Sequence, residues 1–109
     1  ALARNGYQVA CGFNGAPVGL PHCADVGCLM IDGHCERVVH AEANAIIHAA
    51  RQGVSTANTV AYITHYPCLS CARMLINAGV VRVVYHEAYD PSPWAMEFLF
   101  RVGIEVVKL

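Results

Sequence analysis

The pattern of hydrophobic and polar positions predicts three amphipathic helices. Apolar residues recur at helical spacing from Ala41 as far as Gly53, which is placed to end the helix. A second helix is predicted over 68–78. A third is opened by residues 90–93 and ended by Gly103. This third helix is expected to direct three side chains inward: Trp94, Phe98 and Leu99.

Short β-rich runs lie around and between these helices. Strands are predicted at four places: 7–13, 59–64, 80–85 and 104–109. The polar, glycine-rich stretch 14–39 shows no sustained period, so we predict one long loop there. Loops of this length inside a compact domain are commonly functional or are held by something other than a core.

The order of these elements predicts one α/β domain over residues 1–109, with three layers: helices on both faces of a mixed sheet. Parallel crossovers are expected to join the last three strands. A parallel sheet needs helices on both faces, and the residues before Tyr7 are too few to cover one of them. We therefore expect a helix and a strand of the complete fold to precede Ala1.

Composition narrows the class of protein. Hydrophobic residues make up 56% of the chain and charged residues 14%, but polar residues interrupt every long apolar stretch, so no membrane span is predicted. No signal-peptide pattern is present, which favours a cytoplasmic protein. A net charge of −1 supplies no basic surface for nucleic-acid phosphates, so a small-molecule partner is favoured.

Two short motifs predict a metal site. An H-x-E motif at His40 and Glu42 opens the first helix, and a C-x-x-C motif at Cys68 and Cys71 opens the second. One imidazole and two thiolates supply three zinc ligands and leave the fourth position for water, as in a catalytic zinc site. Glu42 follows His40 by two residues, so it is predicted to reach that water without binding the metal and to carry its proton.

Neither motif is specific when it stands alone. An isolated H-x-E motif occurs often by chance, and C-x-x-C is shared by redox pairs, structural zinc sites and catalytic zinc sites. Six cysteines in a short chain also occur in secreted, disulfide-bonded domains. In this chain the H-x-E motif precedes the C-x-x-C motif and each opens a helix. That conjunction favours a catalytic zinc in a reducing compartment.

The combination of these motifs resembles the cytidine deaminase superfamily, in which H-x-E is followed by P-C-x-x-C. Within it, the chain is most similar to the deoxycytidylate (dCMP) deaminases. The segments that carry the resemblance are GFNGAP at 12–17, GLPHC at 19–23, HAEANAI at 40–46 and THYPCLSC at 64–71. The resemblance covers essentially the whole chain. It implies hydrolysis of dCMP to dUMP and ammonia, for thymidylate synthesis.

The resemblance also implies roles for residues around the metal. Glu42 would pass a proton to N3 of the pyrimidine and then to the departing amine. The backbone N–H of Ala41 would hold the pyrimidine O2, and Asn14 the sugar 3′-hydroxyl. Tyr66 would pack on the base. The alternative for Asn14 is a turn residue between two glycines, and Tyr66 is equally explained as a core residue.

Some relatives carry a second, structural zinc, which the resemblance places in the predicted loop. The candidate ligands are Cys23, Cys28, His34 and Cys35. Four such side chains can close a tetrahedral site and order the loop. The alternative is that these are ordinary reduced cysteines. One relative has a ligand before the position of Ala1, so the ligand set stays open.

Partners follow from the same resemblance. It implies a nucleotide substrate, a homo-oligomer and, near the Asn-Gly-Ala-Pro loop, the effectors dCTP and dTTP. Alternatives remain among enzymes: a tRNA adenosine deaminase, which would need a basic face for RNA, or a cytosine or guanine deaminase. Outside enzymes, the alternative is a non-catalytic, zinc-stabilised binding or redox module.

Overall fold

The computed structural model describes residues 1–109, which form seven strands and four helices. The strands are β1 (Leu2–Arg4), β2 (Tyr7–Ala10), β3 (Met30–Ile31), β4 (His34–Cys35), β5 (Thr59–His65), β6 (Val80–Glu87) and β7 (Glu105–Lys108). The helices are α1 (Cys23–Val26), α2 (Ala41–Gln52), α3 (Leu69–Asn77) and α4 (Pro93–Arg101). None of these helices has the length and apolar character needed to cross a membrane.

Five strands form the main sheet, in the order β2-β1-β5-β6-β7. Strand β1 runs antiparallel to both of its neighbours, whereas β5, β6 and β7 are parallel to one another. Helices α3 and α4 make the two crossovers between the parallel strands. The predicted mixed sheet with parallel last strands is confirmed.

The helices pack on one face of this sheet. Ala61, Val83 and Val106 stand side by side across β5, β6 and β7, and they pack with Leu75 of α3. Val106 also contacts the cluster to which α4 contributes. Tyr62 points to the opposite face and is 48% exposed. Within residues 1–109, helices α2, α3 and α4 therefore form a single layer.

The first strand was not predicted from the sequence. Strand β1 has three residues, too few to show a period, and it lies between β2 and β5. A turn at Asn5 and Gly6, both with positive φ, joins β1 to β2; this Asn-Gly pair is typical of a tight hairpin. Strand β2 ends at Ala10, three residues before the predicted end at Phe13.

The predicted loop and the predicted inward face of α4 both need correction. Residues 14–39 contain the short elements α1, β3 and β4. On α4, Trp94 is 60% exposed rather than buried, while Ala95 and Leu99 are fully buried. Trp94 instead packs edge-on against Phe98, with ring centroids 6.5 Å apart. The inward stripe starts one residue later than the apolar pattern indicated.

Candidate metal centre and active site

The N-termini of α2 and α3 bring the H-x-E motif and the C-x-x-C motif together. His40 is the N-cap of α2 and Cys68 is the N-cap of α3, both with extended backbone. Cys71 lies in the first turn of α3 and is buried. The side chains of these three residues, which we call the His40 cluster, converge.

The spacing within the His40 cluster fits a tetrahedral zinc ion. His40 Nδ1 lies 3.5 Å from Cys68 Sγ and 3.4 Å from Cys71 Sγ. With Zn–N near 2.05 Å and Zn–S near 2.3 Å, two ligand atoms on a tetrahedron are about 3.6 Å apart. The nitrogen that faces both sulfurs is Nδ1, so it is the atom that would bind the metal.

Glu42 lies beside this cluster. Burial raises the pKa of the Cys71 thiol, and the nearby Glu42 carboxylate and Cys68 raise it further. The Cys71 thiol must therefore lose its proton when it binds a metal ion. The same interaction shows that the Glu42 carboxylate lies close to the Cys71 sulfur.

Asn14 occupies the backbone donor at the start of α2. Its Oδ1 accepts a hydrogen bond of 2.8 Å from Ala41 N–H. The His40 side chain makes no capping bond to α2, because it is turned toward the two sulfurs. A residue 27 positions earlier in the chain therefore satisfies an N–H group that a helix start leaves without a partner.

Two further residues fix the loop that carries Asn14, and the sequence patterns did not single them out. A Cβ on Gly12 would lie 2.5 Å from both the Ala41 oxygen and the Ala45 nitrogen. Asn44 Nδ2 donates to two loop carbonyls, those of Phe13 at 2.9 Å and of Val39 at 3.2 Å. The available signal was Asn44 itself, since asparagine is a weak helix former inside an otherwise apolar helical face.

Tyr66 belongs to the packing of the domain. Its ring meets Tyr85 edge-on, with centroids 5.1 Å apart, and contacts the α3–α4 core cluster. Burial, with a contribution from Tyr85, raises the pKa of Tyr66. The structure does not place Tyr66 on the wall of either cavity at the His40 cluster.

Cavities lie on two sides of the His40 cluster. The larger, of about 650 Å³, has all three members on its wall and also contains His34 and Glu36. The smaller, of about 100 Å³, is lined by Ala41 and Glu42 together with residues of β1 and β5. The three candidate metal ligands therefore line the larger cavity, whereas Ala41 and Glu42 line the smaller one.

Three of the four candidates for a second metal site come together. The sulfur atoms of Cys23, Cys28 and Cys35 lie within 4.8 Å of one another, and we call them the thiol cluster. His34 is not part of it and lines the larger cavity instead. The backbone N–H of Arg37 is the main cause that lowers the pKa of Cys35 to about 7. A hydrogen bond with Cys28 is the main cause that raises the pKa of Cys23 to about 11.

Comparisons with known proteins agree with this geometry. Residues 1–87 match the family described as "Cytidine and deoxycytidylate deaminase zinc-binding region". The chain is 45% identical to ComE operon protein 2 of Bacillus subtilis, over 99% of the chain and 57% of that protein. It is 28% identical to the deoxycytidylate deaminase of Enterobacteria phage T4, over 99% of the chain and 76% of that protein.

A solved structure resembles the whole chain. The dCMP deaminase of cyanophage S-TIM5, crystallised with dCMP and dUMP, superimposes with a TM-score of 0.80 and 32% identity. The match covers 99% of this chain and 77% of the phage protein. The chain spans little more than half of the Bacillus relative, at 57% of its length.

Proposed function

Because the chain belongs to the cytidine and deoxycytidylate deaminase zinc-binding family, we propose that it hydrolyses dCMP to dUMP and ammonia. The observation that carries the proposal is the convergence of His40 Nδ1 with the sulfurs of Cys68 and Cys71 at 3.4–3.5 Å, with Glu42 beside them. Similarity to the phage structure with dCMP and dUMP supports dCMP as the substrate.

Zinc held by the His40 cluster would lower the pKa of water to roughly 7 and make a nucleophile available at neutral pH. Glu42 carries out the proton transfers. Its carboxylate takes the proton of the attacking water, delivers it to N3 of the cytosine, and then delivers the second water proton to the departing amine. Water and dCMP give dUMP and ammonia, and Glu42 returns to its starting state.

Asn14 and Ala41 orient the substrate in this proposal. The pyrimidine O2 would accept from Ala41 N–H, which Asn14 Oδ1 already occupies at 2.8 Å. Substrate binding therefore requires the Asn14 carboxamide to leave Ala41 and turn to the sugar 3′-hydroxyl. One hydrogen bond is exchanged for two, so a 3′-hydroxyl on the substrate offsets the bond that Asn14 gives up.

The thiol cluster is proposed to hold a second, structural zinc. The Cys23 and Cys35 sulfurs are 3.6 Å apart, close to the separation of about 3.8 Å expected for two thiolates on a tetrahedral zinc. His34 does not join them, so the fourth ligand comes from elsewhere. A measured ratio of two zinc ions per chain, falling to one in Cys28→Ser with turnover retained, tests this; an unchanged ratio would contradict it.

Regulation, assembly and location are proposals of the same kind. A cavity of about 370 Å³ beside the Asn-Gly-Ala-Pro loop, lined by Phe13, His22 and His48 among others, is the proposed site for dCTP or dTTP. Exposed Ile47 and Met74 on α2 and α3 are proposed to contact a second copy of the chain. Six free thiols fit a reducing cytoplasm.

The first test is loss of cytosine absorbance when the zinc-loaded protein meets dCMP, with deoxycytidine, cytosine and guanine assayed alongside. Turnover of dCMP alone supports the proposal and shows that the 5′-phosphate is needed. Turnover of another substrate with no turnover of dCMP would overturn the proposal in favour of a different deaminase.

Glu42→Gln separates catalysis from metal binding. We expect zinc content and fold to persist while turnover falls by roughly three orders of magnitude, because the amide accepts no proton. Glu97→Gln is the matched control, since Glu97 is an exposed acid paired with Arg101 on α4. Full activity in Glu42→Gln would remove this residue from the mechanism.

A further inference from the structure

The thiol cluster contains a pair of sulfurs at contact distance. Cys23 Sγ and Cys35 Sγ are 3.6 Å apart and both are partly exposed. The third member, Cys28, is exposed. A disulfide needs about 2.05 Å between its sulfurs, so this pair must approach by roughly 1.5 Å.

The elements that carry this pair are weakly anchored. Helix α1, which begins at Cys23, has four residues and buries none of them. Strand β4, which ends at Cys35, has two residues and pairs only with β3. Short elements with few buried contacts move at low cost in free energy, so these elements rather than the core take up the approach of the two sulfurs.

Movement of Cys35 reaches the larger cavity at the His40 cluster. Cys35 itself lines the 650 Å³ cavity together with His34 and Glu36. Four residues then lead from Cys35 to His40, and Val39 among them is paired with Gly15 in an isolated bridge. A displacement in β4 therefore changes the cavity wall beside the metal ligands, while the helices that carry those ligands stay in place.

We propose that Cys23 and Cys35 form a redox-sensitive pair that a small-molecule disulfide oxidises, with release of the zinc ion that the thiol cluster holds, and that this reshapes the larger cavity beside the metal ligands. The thiolate of one cysteine attacks a sulfur of glutathione disulfide, which forms a mixed disulfide and releases one glutathione. The second thiolate attacks the protein sulfur of that mixed disulfide and releases the other glutathione. The two thiolates lose two electrons, glutathione disulfide gains them with two protons from solvent and becomes two glutathiones, and the zinc ion held by the thiol cluster leaves as Zn²⁺. The effect on turnover rests on the proposed deaminase function.

The link can be mapped because acidic residues separate the three thiols. Cleavage before Asp25 and Asp32, combined with cleavage after Arg37, puts Cys23, Cys28 and Cys35 on different peptides. The zinc-loaded protein is incubated with glutathione disulfide and digested without reduction. In Cys11→Ser, which removes the other thiol of the Cys23 peptide, we expect the Cys23 and Cys35 peptides to be joined, with a mass about 2 Da below the sum of the two thiol peptides and with no glutathione attached.

Matched variants and turnover complete the test. Cys11→Ser, a change at an exposed thiol outside the cluster, should keep the link, and Cys35→Ser should abolish it. Oxidation should lower kcat/KM for dCMP about tenfold, reversibly with dithiothreitol and without a Cys68–Cys71 link. Absence of the link, unchanged kcat/KM in the linked protein, or loss explained by a Cys68–Cys71 link would each overturn the proposal. If the reduced protein deaminates nothing, the proposed function fails, whereas the peptide map still tests the pair.

Discussion

Gly12 offers the sharpest test of how the loop that carries Asn14 is held, because any side chain at this position would contact the backbone of α2. A Cβ at Gly12 would lie 2.5 Å from both the Ala41 oxygen and the Ala45 nitrogen. Ordinary contacts of a Cβ begin near 3.4 Å, so Gly12→Ala forces a separation of about 0.9 Å between loop and helix. Neither contact is the end of a flexible side chain, so the backbone itself has to move.

The expected cost follows from two opposing effects. Overpacking of this size costs about 1–3 kcal/mol, and replacing glycine by alanine gains about 0.4–1 kcal/mol through the unfolded chain. The free energy of unfolding should therefore fall by about 1–2 kcal/mol. Because the displaced loop carries Asn14, and the displaced helix end carries Ala41, kcat/KM for dCMP should fall by up to about 100-fold.

Gly15→Ala is the control for the same exchange of residues. A Cβ at Gly15 meets nothing closer than 3.7 Å, from the His22 ring, and Gly15 does not have a positive φ. Its stability should stay within about 0.5 kcal/mol of the original or rise. Urea unfolding at one fixed zinc concentration compares the two variants. Equal midpoints and equal turnover in Gly12→Ala and Gly15→Ala would refute the close-approach argument.

Three further predictions concern other contacts of the site. Asn44→Asp replaces a donor to the Phe13 and Val39 carbonyls by a third acceptor, so urea unfolding should show a loss of about 2 kcal/mol; no loss would mean that Asn44 does not hold the loop. His34 is expected to contact the phosphate of dCMP, because it adds an imidazole to a cavity wall that has no Lys or Arg. In steady-state kinetics His34→Ala should therefore raise the KM for dCMP about tenfold with kcat little changed. An equal rise for deoxycytidine would exclude a phosphate contact. Ser92→Ala removes the cap that accepts from Ala95 N–H and should cost about 1 kcal/mol in thermal or urea unfolding, with an unchanged midpoint as the contrary result.

The sequence predicted those parts of the fold that repeat a period over several residues. Helix α2 begins at Ala41 and is followed by Gly53 in a left-handed conformation, as the apolar spacing indicated, and the parallel strands followed from their alternation with helices. Strand β1 was not predicted because three residues are too few to show a period. The prediction that Trp94 is buried was wrong because a large aromatic residue on the flank of a helix counts as apolar in the pattern. In the structure Trp94 is 60% exposed.

The site divides in the same way. The convergence of the candidate metal ligands could be predicted because zinc chemistry demands particular residue types at fixed spacing, as at Cys68 and Cys71. Gly12 and Asn44 act through contacts with residues distant in the chain, and no local pattern encodes such contacts. The same limit applies to His34, which lines the larger cavity together with its neighbour Cys35 but does not join Cys35 in the thiol cluster. Adjacent positions on a two-residue strand point to opposite sides.

At the start of α2, one residue faces the candidate metal site and another supplies the capping hydrogen bond, and this arrangement implies an order of folding events. His40 is the N-cap, yet its side chain faces the sulfurs of Cys68 and Cys71, and Asn14 supplies the hydrogen bond to Ala41 from 27 residues away. An isolated α2 segment would lack both its cap and two of its three ligands. At the proposed zinc site, metal capture at His40 would therefore follow the collapse that brings β2, its loop and α3 to this helix, and a bound ion would stabilise an assembled domain instead of nucleating one.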